Sequence, residues 1–381
     1  MTKDISSRYD IIDMLRGVAI LLVVIRHIQL RIPFDELLNH IPEQLINALF
    51  ISGNEGVRIF FVISGFIITM TSLNRYSDLA NINAKQFYLF RFARIAPCLI
   101  ALLLILTVLH FSGVNGYVIN SKFTYTEALF SALSFHLNWL EGMKGYLPPS
   151  WDVLWSLSVE EAFYLAFPIV CLASRRKELI YLVLIALIIT GPFYRLSLEG
   201  QKVWQAKAYF SCMDSIAIGC LFAIMSYKKV IPKLVTTLFS TIGVIIVLFV
   251  LVQKRGTAYP FLSELYLFKT LLSVGVGLLL ISSVRQQLSG WFRTLLSPLI
   301  FYGKISYEVY LSHVFVVLAG VALYRHYGSN LSYSLFWLIG MIALSALLGY
   351  LVKEYFSEPM NTWIRNRYKN GTNRTTSQGI N

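Results

Sequence analysis

The sequence predicts an all-α protein: a polytopic bundle of about ten transmembrane helices, with both termini in the cytoplasm. Three observations carry this. The chain is 56% hydrophobic and only 14% charged, whereas a soluble domain is roughly 25% charged. It holds repeated, continuously apolar stretches of about 17–25 residues, the length that crosses a bilayer. Its Lys and Arg residues collect in alternate loops, the bias that orients membrane helices. Continuous rather than alternating hydrophobicity argues against a β-barrel.

The apolar runs place helices over 14–31, 56–73, 92–112, 153–174, 178–194, 208–226, 234–252, 265–283, 305–324 and 333–354. With the N-terminus inside, the cytoplasmic segments carry Lys3, Arg8 and Arg16; Arg75, Lys85, Arg91 and Arg94; Arg175, Arg176 and Lys177; Lys228, Lys229 and Lys233; Arg285, Arg293 and Lys304; and Lys353, Arg365, Arg367, Lys369 and Arg374. The outer loops are poorer in bases and hold acids such as Asp35, Glu36, Glu127 and Glu141. This topology accounts for the net charge of +13 without a nucleic-acid partner, since no nucleic-acid module is recognisable. Residues 1–360 form the membrane domain, and 361–381 read as a polar, disordered cytoplasmic tail.

The first helix begins beside Asp13 and carries Arg16 and His27. Eleven residues at about 100° each make three turns plus about 20°, so both side chains share one face, about 16 Å apart along the axis. Its apolar run, Gly17 to Ile25, is followed by Gln29, Leu30, Arg31 and Ile32 rather than by a small-residue cleavage site, so it is expected to be a retained helix, not a signal peptide. Ionisable residues inside a span are costly and point to function. Imidazole takes a proton near neutral pH; the plainer alternative is that His27 hydrogen-bonds a neighbour near the outer surface.

In the second helix Ser64-Gly65 serves either close helix packing or the approach of a ligand. Val62 two residues before Ser64 rules out the G-x-S-x-G elbow. Arg91 and Arg94 open the third helix three residues apart on one face, suited to gripping phosphates or to ordinary inside anchoring. The long outer loop, 113–152, carries Tyr117, Tyr125, Trp139, Tyr146 and Trp151, whose rings suit sugar faces or an interfacial belt. Glu160 and Glu161 lie about two turns into the fourth helix and need a partner, His27 or an arginine. Asp214 lies in the sixth. Ser306, Tyr310 and His313 line one face of the ninth by i, i+4, i+7 spacing, beside Tyr307; a polar stripe there suggests a cavity. Cys98, Cys171, Cys212 and Cys220 sit in apolar runs without C-x-x-C spacing and read as small buried residues. No Ser-His-Asp order, P-loop, zinc or haem signature is evident, so no metal is expected.

Over about 9–360 these segments resemble the membrane-bound acyltransferase 3 family, acetylases of bacterial O-antigen lipopolysaccharide, peptidoglycan and exopolysaccharide. The first helix matches its arginine, ten residues, histidine pattern at Arg16 and His27. The second matches F-F-x-x-S-G-F at Phe60 to Phe66, and the third matches R-x-x-R-I-x-P at Arg91 to Pro97. The fourth matches W-S-L-x-V-E at Trp155 to Glu160, and the ninth S-Y-x-x-Y-L-x-H at Ser306 to His313. Glu358-Pro359 looks like its E-P ending. Five motifs in order on the right helices are specific where each alone is weak. Cys212 stands where many members carry an arginine two residues before the aspartate, here Asp214.

The resemblance implies an O-acetyltransferase of the cell inner membrane, in the cell envelope. It would use acyl-CoA, most often acetyl-CoA, as co-substrate rather than a permanently bound cofactor. It implies catalytic roles for His27, Arg16 and Glu160, the last orienting His27 or the acceptor. Arg91 and Arg94 would hold the CoA phosphates, and Ser64, Tyr307, Tyr310 and His313 would line the substrate cavity. The acceptor would be a surface glycan or lipid-linked saccharide at the membrane lipid. Many members also carry a soluble C-terminal hydrolase-like domain; this chain is expected to work alone or with a separate extracytoplasmic transferase. The rival class is a non-enzymatic transporter or flippase of acyl groups or lipid-linked sugars, for which intramembrane His, Arg and Glu are equally suited, though no inverted repeat is evident. A glycan polymerase is a further rival. Dependence on acyl-CoA separates both from the enzyme.

Overall fold

The computed structural model describes residues 10–32, 34, 38–39, 41–174, 177–253, 262, 266–284, 288, 290–327 and 333–377. Among them every regular element is helical. The main helices are α1 (Asp10–Gln29), α2 (Gly53–Tyr76), α3 (Ala84–Phe111), α4 (Leu154–Ala173), α5 (Lys177–Ser197), α6 (Tyr209–Ser226), α7 (Lys233–Val252), α8 (Phe268–Ser283), α9 (Ser306–His326), α10 (Ser334–Val352) and α11 (Glu358–Ser377). Each of the ten apolar runs coincides with one of α1 to α10. Among the described residues, eight helical segments are long and apolar enough to cross a membrane. The exceptions are α1, which carries four charged residues, and α8, whose 16 residues span only ~24 Å at 1.5 Å each. The protein is a multi-pass membrane protein. The segment read as a polar tail is helical through Ser377; of the residues that set the expected topology, Lys3, Arg8, Asp35, Glu36, Arg175, Arg176 and Arg285 lie outside the described residues.

The centre of the bundle is α2 against α6, with α1 and α8 beside them. Glycines set this closeness. A methyl at Gly65 would run into the backbone carbonyl of Ile216, and one at Gly219 into that of Val62. The pair lets two helices touch backbone to backbone, the usual role of small residues where lipid gives no hydrophobic drive between helices. Gly65 therefore packs a helix rather than admitting a ligand. Gly17 and Gly303 do the same for α1 against the short helix Ser297–Lys304. At the periphery α5 and α7 turn Leu182, Ile189, Leu238 and Ile245 outward, which a hydrocarbon surround accommodates and water would not. Pro97, Pro168 and Pro192 sit inside α3, α4 and α5; membrane helices tolerate this because neighbours satisfy the freed carbonyls.

Between α3 and α4 the chain forms short helices over Tyr125–Leu133, Leu137–Lys144 and Pro149–Asp152. The first has a capping box: Glu127 N donates to Thr124 Oγ1, and Thr124 N donates to Glu127 Oε2. Lys144 Nζ also meets Glu127 Oε1 at 2.7 Å, and these contacts hold the Glu127 carboxyl below its ordinary range.

Candidate active site

A cavity of about 280 Å³ opens between α1, α2, α3, α4 and α9. Arg16 enters from α1, Ser64 from α2, Arg91 and Arg94 from α3, Ser156, Glu160 and Tyr164 from α4, and Ser306, Tyr307 and Tyr310 from α9, between apolar walls that include Phe60, Phe61 and Leu311. Seven of the sequence-derived site residues thus share one cavity, Arg16, Ser64, Arg91, Arg94, Glu160, Tyr307 and Tyr310, together with Ser306 of the polar stripe on α9.

Each charge has a partner from a distant part of the chain. Arg16 Nε donates to Ser306 Oγ at 3.1 Å. Arg91 contacts Glu161 at 3.0 Å and Glu160 at 3.7 Å, and its guanidinium lies 3.5 Å above the Tyr164 ring. Tyr164 in turn shares a hydrogen bond with Ser64. Arg94 contacts Glu308 at 3.3 Å and Glu358 at 3.1 Å, while Ser357 Oγ donates to Glu308 Oε1 at 2.7 Å. Tyr307 OH donates to the Ile95 carbonyl at 3.2 Å. The chain after α10 thereby returns to the cavity, and Glu358 of the E-P motif closes on Arg94. Of the two partners expected for Glu160, His27 or an arginine, the fold supplies the arginine: the carboxylate meets Arg91, while His27 packs on His313.

His27 and His313 lie beyond the cavity lining, along the same faces of α1 and α9. The rings stand edge to face, with centroids 5.1 Å apart. Tyr310 stands between them and the cavity. Its ring is 6.1 Å from that of His313; its hydroxyl meets Ser156 Oγ at 2.6 Å and the Val153 carbonyl at 2.9 Å.

Beyond the histidines is a group that sequence reasoning missed. Lys207 Nζ binds Glu141 Oε2 at 2.6 Å and also binds Asp152, with the rings of Tyr146 and Trp155 at 4.6 and 5.5 Å from the ammonium. Burial pushes the Glu141 carboxyl well above its usual range; Asp152 adds to this and Lys207 opposes it. Exposed Trp139 packs edge to face on Trp204 at 4.9 Å nearby. The aromatic loop was legible, but not the lysine, since Lys207 is more than fifty residues away and only folding joins them.

A second charged node lies apart from the cavity. Asp214 of α6 accepts from Arg58 at 3.2 Å, from Arg195 at 2.9 Å and from Thr270 Oγ1 at 2.8 Å. All three ionic side chains are buried. Cys212 takes no part in an ion pair there. The two arginines that pair with Asp214 come from α2 and α5, which flank α6. Among the described residues no group of His, Cys, Asp or Glu is placed to hold a metal ion.

The model of the family described as "Acyltransferase domain" matches residues 9–352. Among curated proteins, the chain is 27% identical over 365 residues to "Putative O-acetyltransferase SACOL0978" of Staphylococcus aureus strain COL, covering 89% of this chain and 55% of that protein. It is 26% identical over 299 residues to "O-acetyltransferase OatA" of Staphylococcus aureus strain NCTC 8325 / PS 47, covering 70% of this chain and 47% of that one. The chain spans about half the length of the curated relatives it matches. No solved structure matches it.

Proposed function

The chain belongs to the membrane-bound acyltransferase 3 family, and from that premise we propose that it is an O-acetyltransferase of the inner membrane, moving an acetyl group from acetyl-CoA to a hydroxyl of a surface or lipid-linked glycan. The observation that carries this reading is the cavity of α1, α2, α3, α4 and α9 standing in line with the His27–His313 pair. In the proposed topology all ten of α1 to α10 cross the membrane and both termini are cytoplasmic. The Arg16, Arg91 and Arg94 end of the cavity then faces the cytoplasm, where acyl-CoA is made. The aromatic loop and Lys207 face outward, where envelope glycans lie.

The thioester and its slender arm enter the cavity, while the nucleotide stays at the mouth; about 280 Å³ is below the ~300–1,000 Å³ of sites that enclose a drug-sized ligand. Arg91 and Arg94 are held ready by carboxylates, and CoA phosphates would compete with Glu161 and Glu358 for the same bidentate geometry. Arg16, fixed by Ser306, sits a donor arm's length below His27 on the same helix face. Glu160 belongs with Arg91, holding the donor side, rather than with the histidine. Once Tyr310 moves aside from Ser156, the thioester reaches His27. His27 takes the proton of the acceptor hydroxyl as general base, the oxygen attacks the acyl carbon, and the C–S bond breaks. The exposed rings of Trp139 and Tyr146 suit an acceptor sugar.

The test is transfer of radiolabel from acetyl-CoA to envelope glycan in membranes carrying the chain. Label with wild type and none with a well-folded His27→Ala variant is the expected result. No label from acetyl-CoA or longer acyl-CoAs, with glycan present, would replace the enzyme by a flippase or transporter.

A further inference from the structure

We propose that His313 is a positioning residue: it fixes the tautomer of His27 by accepting a hydrogen bond from His27 Nδ1, so that His27 Nε2 faces the substrate. This rests on the reading of His27 as the base. His313 is fully buried. Its Nδ1 lies 2.9 Å from the Tyr310 carbonyl and 3.1 Å from that of Val309. Carbonyls only accept, so Nδ1 carries the ring hydrogen, and Nε2 is a bare lone pair. That Nε2 is buried and has no hydrogen-bond partner.

The ring it faces has the complementary vacancy. His27 Nδ1 is also buried and unpartnered, and the two rings are in edge-to-face contact at 5.1 Å. Two unsatisfied ring nitrogens on touching imidazoles, one of them already shown to be an acceptor, are filled together by a Nδ1–H···Nε2 hydrogen bond after a modest ring rotation. Leaving both unmade would carry the full cost of burying bare polar groups. Packing alone would place an apolar residue here as well as a histidine.

The consequence for transfer balances as follows. The hydroxyl proton moves to His27 Nε2 as the C–O bond forms and the C–S bond breaks; the departing CoA thiolate then takes that proton from Nε2. His313 neither gains nor loses a proton. It accepts from Nδ1–H throughout and stabilises the imidazolium while it exists, as an orienting group does for any catalytic histidine.

The experiment uses the full chain in membranes, with labelled acetyl-CoA as donor, the envelope glycan of those membranes as acceptor, and folded protein measured by size exclusion. His27→Ala, His313→Leu and His313→Gln are compared. Leucine has no acceptor, whereas the glutamine amide oxygen reaches close to the position of Nε2. The expected result is a fall in kcat of about 100-fold for His313→Leu with the acetyl-CoA KM unchanged, and recovery of about 10-fold of that in His313→Gln. Equal activity in the two His313 variants, or a loss that tracks only the amount of folded protein, would overturn the proposal while leaving His27 as base if His27→Ala is inactive. Wild-type rates in His27→Ala would remove the base and this inference with it.

Discussion

Two sets of buried charges in this molecule look alike in sequence and differ in the space beside them. Around Asp214, two arginines, a threonine and a serine close on one carboxylate, with the arginine, serine and aspartate side chains buried. Around Arg91 and Arg94 the ion pairs are as short, yet the guanidiniums remain about a fifth exposed and border a cavity. An ionisable residue in a span is expensive in either case. What separates a structural charge from a chemical one is room for another molecule. The Asp214 node joins α2, α5, α6 and α8 across the bundle, while the cavity cluster leaves a gap in which groups can be exchanged.

Substitutions sharpen this contrast, beginning with the largest effect. His27→Ala should lower transfer on the order of 10²–10⁴-fold, the range for a general base, with normal folded yield; unchanged transfer would take the chemistry away from the histidine pair. Asp214→Ala leaves two buried arginines uncompensated and should cost about 3–5 kcal/mol of stability. Thermal unfolding in detergent would report it, and activity per folded molecule should stay near wild type. A variant that folds normally and is inactive would make the node part of the site. Arg94→Ala removes charge-assisted contacts worth about 1.5–3 kcal/mol each, so the acetyl-CoA KM should rise roughly 10-fold or more with little change in acceptor use. An equal loss toward both substrates would mark the Arg94–Glu308–Glu358 cluster as a structural brace like the Asp214 node.

Tyr310→Phe keeps the ring and removes the hydrogen bonds to Ser156 and Val153. The expected change is small, about 5-fold in kcat, upward if opening of this contact limits the rate and downward if the hydroxyl orients substrate; no change would exclude Tyr310 from both roles. Glu127→Ala, in an exposed capping box, should leave the unfolding temperature and transfer unaltered, which measures the background for the others.

Much of this was legible without coordinates. The ten apolar runs became helices because a span in lipid must satisfy every backbone group within itself, so hydrophobic length alone specifies the element. Arg16 and His27 on one face, and the stripe of Ser306, Tyr310 and His313, follow from helical periodicity. Gly65 was ambiguous, since a small residue serves a ligand and a helix equally well, and only the Ile216 carbonyl against it decided.

Pairing was not legible. Glu160 could meet any of several cations, and periodicity says nothing about which helix lies opposite. The contact of Arg16 with Ser306 crosses 290 positions of sequence and that of Arg94 with Glu358 crosses 264. Likewise Cys212 before Asp214 was visible, but the pairing of Asp214 with Arg58 and Arg195 was not. The sequence by itself determined which segments are helices, which faces are polar and which family the motifs match, because those depend on local periodicity and hydrophobicity. Only folding brings His27 against His313 rather than Glu160, sets carboxylates on Arg91 and Arg94, and closes Arg58 and Arg195 on Asp214. Those outcomes depend on how close glycine-lined helices approach, which no single helix encodes.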